Sequence, residues 1–177
     1  MVNVNIRLTR IEDVSLLPDI EYSAGGSFRD IPHLAWIADD DLMTTEDHIK
    51  YVAEGTSWVA EVDHQVVGFV CAESALKDLH VWLLAVRREW QAQGLGRKLM
   101  GTVIEHARRN RFKSVTLTTF REVPWNEPFY RSLGFEVLES ELMDARLQQI
   151  LEEEIEHGIP GEMRCAMRLL ISCILEI

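Results

Sequence analysis

The sequence predicts an α/β protein: a mixed β-sheet with helices on both faces, in one domain spanning residues 1–177 with an apolar tail at 171–177. Three observations predict it. Apolar residues that alternate, or stand in short unbroken runs, mark seven strands. Apolar residues that recur every three or four positions mark five helices. A chain of 177 residues has the length of about one domain and can bury about 70% of its unfolded surface, so it needs neither disulfide nor metal staples.

In order, VNVNIRLTR (2–10) alternates Val2, Val4, Ile6 and Leu8 as a half-buried strand over 2–9. IEDVSLLPDIEYSAGG spaces Ile11, Val14, Leu17 and Ile20 as a helix that ends near Gly25-Gly26. TTEDHIKYVAEG is a short helix with Thr44 or Thr45 as its N-cap and Gly55 as its stop. SWVAEVD, QVVGFVCAES and LHVWLLAV follow as strands, the first two joined at Asp63-His64. Leu95, Leu99, Val103 and Ala107 then set the buried face of a helix, with Arg108 and Arg109 complementing the dipole in its last turn. SVTLTTF is a strand, PWNEPFYRSL a short helix and GFEVLE a strand. LMDARLQQILEEEIEHG is a helix whose Glu152-Glu153-Glu154 run reads as a solvated face, and EMRCAMRLLI closes as a strand. The tail SCILEI allows pairing at a sheet edge or in a dimer.

Composition narrows the function classes. No apolar run approaches the ~20 residues that span a bilayer. The N-terminal segment lacks the charged and then apolar design of a secretion signal. Cys71, Cys165 and Cys173 are sparse, odd in number and without metal-like spacing, so they read as reduced thiols of a cytoplasmic protein with no metal. The net charge of -11 is unevenly spread: residues 87–113 hold eight cations and two anions, a net +6 that leaves -17 for the rest. Such an acidic body argues against a nucleic-acid binder. It suits an anionic ligand at the basic segment and a cationic one elsewhere, or a plain soluble acidic surface.

The basic segment holds the chemistry. RREWQAQGLG lies between the strand LHVWLLAV and the helix RKLMGTVIEHARRN. The first N–H groups of a helix lack intrahelical partners, and the dipole adds about half a positive charge there. Gly94 and Gly96 remove side chains, so a phosphate can approach the amides, and Arg97 and Lys98 add charge at the rim. A glycine-bearing turn into a helix is common, however, and the spacing matches neither the Walker phosphate loop nor the dinucleotide fingerprint.

Gln91-x-x-Gly94-x-Gly96 after an apolar strand resembles the pyrophosphate-binding motif of the GNAT superfamily of N-acetyltransferases. NEPFYRSLGFE (126–136) resembles that family's second hallmark, a helix–turn–strand ending in Phe-Tyr-x-x-x-Gly-Phe. The resemblance runs from residue 2 to about residue 170. It implies the GNAT fold, a central mixed and mostly antiparallel sheet with splayed middle strands. It implies acetyl-coenzyme A as donor to a primary amine, by direct attack through a tetrahedral intermediate.

By the same resemblance, the amides of Gln91, Ala92, Gln93, Gly94, Leu95, Gly96 and Arg97 hold the coenzyme pyrophosphate. The backbone of Leu84, Ala85 and Val86 pairs with the pantetheine, and an amide there stabilises the oxyanion, a donor worth roughly 3–4 kcal/mol in acyl transfer. Asn126 contacts the pantetheine arm. Tyr130 protonates the departing thiolate, which a phenol of pKa about 10 can do for a thiol of pKa about 8.5; the plain alternative is an aromatic packing residue. An amine of pKa near 10 is only about one part in a thousand neutral at pH 7, so its proton needs an acceptor. His80 stands where several members carry a catalytic Glu or His, but Leu83 and Leu84 offer it no supporting acid. A structural histidine, with proton loss through ordered water, is the alternative.

FRDIPHLAWIADDDL (28–42) falls in the segment that forms one wall of the acceptor site in this fold. Phe28, Trp36, Asp39, Asp40 and Asp41 would give an aromatic and anionic surface suited to an amine, unless the aspartates merely begin a helix and the tryptophan is core. Arg121, Glu122 and Trp125 stand near the other wall on the same reasoning. A non-catalytic acyl-coenzyme A-binding module on the same fold is the competing function. The expected partner is a small-molecule or peptide amine, with no nucleic acid, no membrane and a homodimer allowed.

Overall fold

The periodicities produce the expected order of elements in a computed structural model that describes residues 2–172. The strands are β1 (Val4–Leu8), β2 (Ser57–Val62), β3 (Gln65–Ala75), β4 (Asp78–Val86), β5 (Ser114–Phe120), β6 (Glu136–Val137) and β7 (Arg164–Leu170). The helices are α1 (Leu17–Gly25), α2 (Thr45–Glu54), α3 (Leu95–Arg109), α4 (Glu127–Ser132) and α5 (Ala145–Glu156). One seven-stranded mixed sheet runs β1-β2-β3-β4-β5-β7-β6. The β1–β2, β2–β3, β5–β7 and β6–β7 pairs are antiparallel. The β4–β5 pair is parallel through three positions, Asp78–Ser114, Leu79–Val115 and His80–Thr116, of a nine-residue strand. So short a register is what splayed middle strands imply.

The chain divides into two compact units. The first comprises residues up to Glu73 together with Val81–His106, and the second Ser74–His80 together with residues from Ala107 onward. In the first, Leu17, Ile20, Tyr51, Val59, Phe69, Cys71 and Ala85 form a buried cluster against which Ala24, Met43, Val66 and Leu83 pack. Each large apolar side chain so buried contributes about 1.5–3 kcal/mol. In the second, Leu138, Leu147, Ile150 and Ala166 form a smaller cluster with Met143 and Leu151.

Four local expectations change. Ile11–Leu16 is a 3-10 helix, and α1 starts at Leu17 with Pro18 in its first turn. Pro18 has no N–H to give to Val14, so an α-helix cannot run through it from Ile11 without losing a bond. Ile11 and Leu8 are exposed, at 55% and 53%, so the apolar period fails at both ends of the first connection. The strand expected over GFEVLE shrinks to Glu136–Val137, extended by one bond from the Leu138 N–H to the Ala166 carbonyl (2.9 Å). Glu152 and Glu153 are exposed, but Glu154 turns inward, where Arg164 takes both its oxygens at 2.8 Å. The caps hold: the Thr44 hydroxyl accepts from the Asp47 N–H, and Gly55 closes α2. Asp63 and His64 both adopt positive φ in the β2–β3 turn. No helix among the described residues is long and apolar enough to cross a membrane. Residues 173–177, including Cys173, lie outside the described residues, and with them most of the tail.

Candidate functional site

In the first unit, β4 ends where the Arg87 N–H donates to the Val67 carbonyl at 2.8 Å. A short 3-10 turn, Arg88–Trp90, leads to the glycine loop and α3. Gln91 holds this loop in shape. Its Nε2 donates to the Val86 carbonyl at 2.9 Å, and its Oε1 accepts from the Ser27 hydroxyl at 3.1 Å. Arg88 adds two ties, its N–H to the Ser23 hydroxyl (3.0 Å) and its guanidinium to Asp30 (3.0 Å). The Gln91 N–H is itself committed, to the Arg88 carbonyl at 3.3 Å. The α3 ladder opens with the Lys98 N–H on the Gly94 carbonyl at 3.1 Å. Between these bonds lies the amide run from Ala92 to Gly96, at the end of a helix whose first N–H groups its own ladder cannot use.

Backbone conformation fits the same purpose. Ala92 and Gly94 both lie in the left-handed region, at φ 58° and 82°. Alanine there is strained by about 1–2 kcal/mol, a cost that accumulates at functional loops. Leu95, Leu99, Met100, Val103 and Ala107 are buried and anchor α3. Beneath the loop, a Cβ on Gly68 would stand 3.1 Å from the Ala85 carbonyl and 3.2 Å from Val86 Cγ2. The bare β3 backbone there sets how closely it approaches the end of β4. Leu84, Ala85 and Val86 occupy that end, half-buried, buried and buried.

In the second unit, Asn126 and Tyr130 stand one helical turn apart at the start of α4, with the Tyr130 N–H on the Asn126 carbonyl at 3.0 Å. The Asn126 Oδ1 accepts from the Thr119 hydroxyl at 3.0 Å, which orients the amide and leaves its buried Nδ2 with no hydrogen-bond partner among the described residues. A buried donor left over in this way is costly and points to an acceptor on a ligand. Tyr130 is buried between Phe129 and Phe135, with ring centroids 5.1 and 5.9 Å away. Burial pushes its phenol up to about 12, and the positive charge of Arg164 works in the opposite direction. Arg164 is fixed by Glu154 and lies over the Phe120 ring at 4.4 Å. The Thr118 hydroxyl completes the network on Glu154 at 2.6 Å.

His80 is 1% exposed, and its Nδ1 lies 2.9 Å from the Thr116 hydroxyl oxygen, which also accepts from Arg146 Nη2 at 3.2 Å. Residues expected on the acceptor walls fall on both units. Phe28 adjoins Ser27, the partner of Gln91. Trp36 is 39% exposed on a 3-10 turn, Ala35–Asp39. The Asp39 carboxylate is taken by Arg29 at 2.7 and 3.0 Å, which holds its carboxyl below the usual carboxylate range. The aspartates do not begin a helix, since α2 starts at Thr45. In the second unit, Glu122 takes a left-handed φ of 61° and gives its N–H to the Glu127 carboxylate (3.2 Å). Arg121 Nε donates to the Arg164 carbonyl at 3.1 Å, and Trp125 is 41% exposed. Ser23, Ser27 and Arg164 escape sequence reading because nothing local marks a residue whose partner is remote; Ser27 and Gln91 are 64 positions apart.

Residues 53–137 match the family model described as an acetyltransferase (GNAT) domain. Among relatives, the S-alkylcysteine N-acetyltransferase of Bacillus subtilis (strain 168) is 32% identical over 145 residues, covering 74% of this chain and 78% of that protein. The probable N-acetyltransferase camello of Xenopus laevis is 34% identical over 99 residues, 54% of this chain and 45% of that protein. The chain spans about half the length of several of the curated relatives it matches. Among solved structures, the PaiA N-acetyltransferase of Thermoplasma acidophilum, in complex with coenzyme A, superposes with a TM-score of 0.69 at 15% identity. That match covers 95% of this chain and 99% of the other, and it is a likeness of fold.

Proposed function

Because the chain belongs to the GNAT acetyltransferase family, we propose that it transfers the acetyl group of acetyl-coenzyme A to a primary amine by direct attack. The observation that carries the proposal is the amide run Ala92–Gly96 at the start of α3, with the Gln91 side chain spent on holding it in place. A pyrophosphate would take those N–H groups and the positive dipole end, and Arg97 would add its charge. The unsatisfied Nδ2 of Asn126 suits a carbonyl oxygen of the pantetheine arm. The β4 backbone at Leu84, Ala85 and Val86 would pair with that arm and offer an amide to the oxyanion, worth roughly 3–4 kcal/mol.

The coenzyme supplies an activated thioester. Tyr130 hands its proton to the departing sulfur. A buried phenol whose pKa is pushed up to about 12 stays protonated at neutral pH and is ready to donate. The amine's proton leaves through His80, a carboxylate or ordered water. Phe28, Trp36, Asp40 and Glu122 are the side chains offered to the acceptor; Asp39, paired with Arg29, contributes less charge than its number suggests. The buried free thiols Cys71 and Cys165 suit a reducing, cytoplasmic setting.

The name of the Bacillus relative makes an S-alkylcysteine the first acceptor to try, and the acidic surface adds cationic amines such as spermidine. The test is thiol release from acetyl-coenzyme A across a panel containing S-methylcysteine, spermidine, an aminoglycoside and a tripeptide. Release with at least one of these is expected. Coenzyme binding without release from any of them would favour the non-catalytic module instead.

A further inference from the structure

Glu21, on α1, is a partly buried carboxylate with no ion pair among the described residues. Five other carboxylates of its unit have cations: Asp13 and Glu61 share Arg7, Asp30 has Arg88, Asp39 has Arg29 and Glu73 has Lys50. Glu21 has one bond, its Oε2 accepting from the Met43 N–H at 3.0 Å, which fixes one oxygen and leaves the other for a ligand. Burial holds its carboxyl above the usual carboxylate range. A partly buried carboxylate without a cation costs stability, and such groups gather at functional sites.

Its surroundings lead to β4. Ile20 and Ala24, on either side of Glu21, pack in the cluster that holds Met43, Cys71, Leu83 and Ala85. The Cys71 thiol lies 3.7 Å from the Met43 sulfur and hydrogen-bonds to the Leu83 backbone. Leu83 directly precedes the β4 residues to which the proposed reaction assigns the thioester. The titratable neighbours on the packed elements are Cys71 on β3 and Tyr51 on α2; burial raises both, so they are neutral at physiological pH. Glu73, further along β3, is held by Lys50 and Trp82.

His80 lies in the other unit, its Nδ1 2.9 Å from the Thr116 hydroxyl oxygen, which also accepts from Arg146.

We propose, resting on the acetyltransferase reading, that Glu21 binds the acceptor's ammonium group and takes its proton. One proton passes from the ammonium nitrogen to Glu21. The freed lone pair forms the N–C bond, the C–S bond breaks, and its electron pair stays on sulfur, which takes the Tyr130 proton. The second nitrogen proton restores the Tyr130 phenol, and Glu21 returns its proton to water, so the net release is one proton.

The test compares wild type, Glu21→Gln and Glu21→Asp with S-methylcysteine and spermidine between about pH 6.5 and 9.5, with coenzyme A affinity measured separately by calorimetry. Glu21→Gln is expected to lower kcat/KM roughly 100-fold near neutral pH, with the deficit shrinking at alkaline pH as free amine accumulates. Glu21→Asp is expected to recover part of the loss, and coenzyme A affinity to be unchanged. Wild-type rates in Glu21→Gln, or a deficit that is the same at every pH, would overturn the proposal. If Glu21→Gln fails to fold, Glu21→Asp decides, since an aspartate with the wild-type pH profile overturns it equally. A wild type that releases no thiol with any amine defeats the acetyltransferase reading itself, and Glu21's role with it.

Discussion

Tyr130 and Asn126 show how single residues become candidates for a site. Each is ordinary as a residue type, and each is made specific by what surrounds it. Two aromatic rings and burial keep the Tyr130 phenol protonated, while the Thr119 hydroxyl turns the Asn126 amide so that its Nδ2 is left over. Tyr130→Phe is therefore expected to lower kcat by tenfold or more and to leave coenzyme A affinity nearly unchanged, because the ring packing survives and only the proton is lost. Unchanged turnover would remove the acid role. Both residues are legible in the sequence, because the Phe-Tyr-x-x-x-Gly-Phe spacing is local. Arg164, whose charge opposes the upward push on Tyr130, is not, since it reaches the site from β7 through long-range pairing.

At the scale of elements, the strand–loop–helix unit β4–loop–α3 is the most readable part of the chain. Its signals lie within one short stretch: an apolar strand, two glycines and a four-residue apolar repeat. The hydrogen bonds that tie the loop are unreadable for the opposite reason, because Ser23 and Ser27 meet it from α1 and the turn beyond. Gly94 carries a direct consequence. At φ 82° a β-branched side chain is strained, so Gly94→Val is expected to weaken coenzyme A binding at least roughly tenfold. The far-UV spectrum should hardly change, because α3 stays anchored by Leu95, Leu99 and Val103. Calorimetric titration checks this, and undiminished affinity would show that the loop amides do not bind the coenzyme. The misread elements have equally local causes. Pro18 breaks the first helix, and Glu154 leaves its solvated neighbours because Arg164 lies within reach.

For the whole molecule, the acidic charge of -11 says less about stability than where its carboxylates are paired. Asp13 is bonded to Arg7 at 2.7 and 3.1 Å and to the Arg10 N–H at 2.8 Å, with only 10% of its side chain exposed. Arg7, the first cause, holds the Asp13 carboxyl below its usual value. A depressed pKa means that the unfolded chain binds the proton more readily. The stabilisation is thus present above the unfolded carboxylate range, near pH 4, and is lost as the pH falls through the folded value. Asp13→Asn, which leaves Arg7 with Glu61 alone, is expected to cost about 1.5–3 kcal/mol at neutral pH, the worth of hydrogen bonds to a charged group, and to flatten the acid branch of the stability curve. Denaturant titrations across that pH range check both.

The central claim is acetyl transfer to nitrogen, and one measurement tests it most directly: free thiol and acetylated amine quantified together in the same reaction, with S-methylcysteine as the first acceptor. One acetylated amine is expected for each thiol released, with both abolished when the amine is omitted. Thiol release that continues without amine, or that leaves the amine unmodified, would contradict the claim.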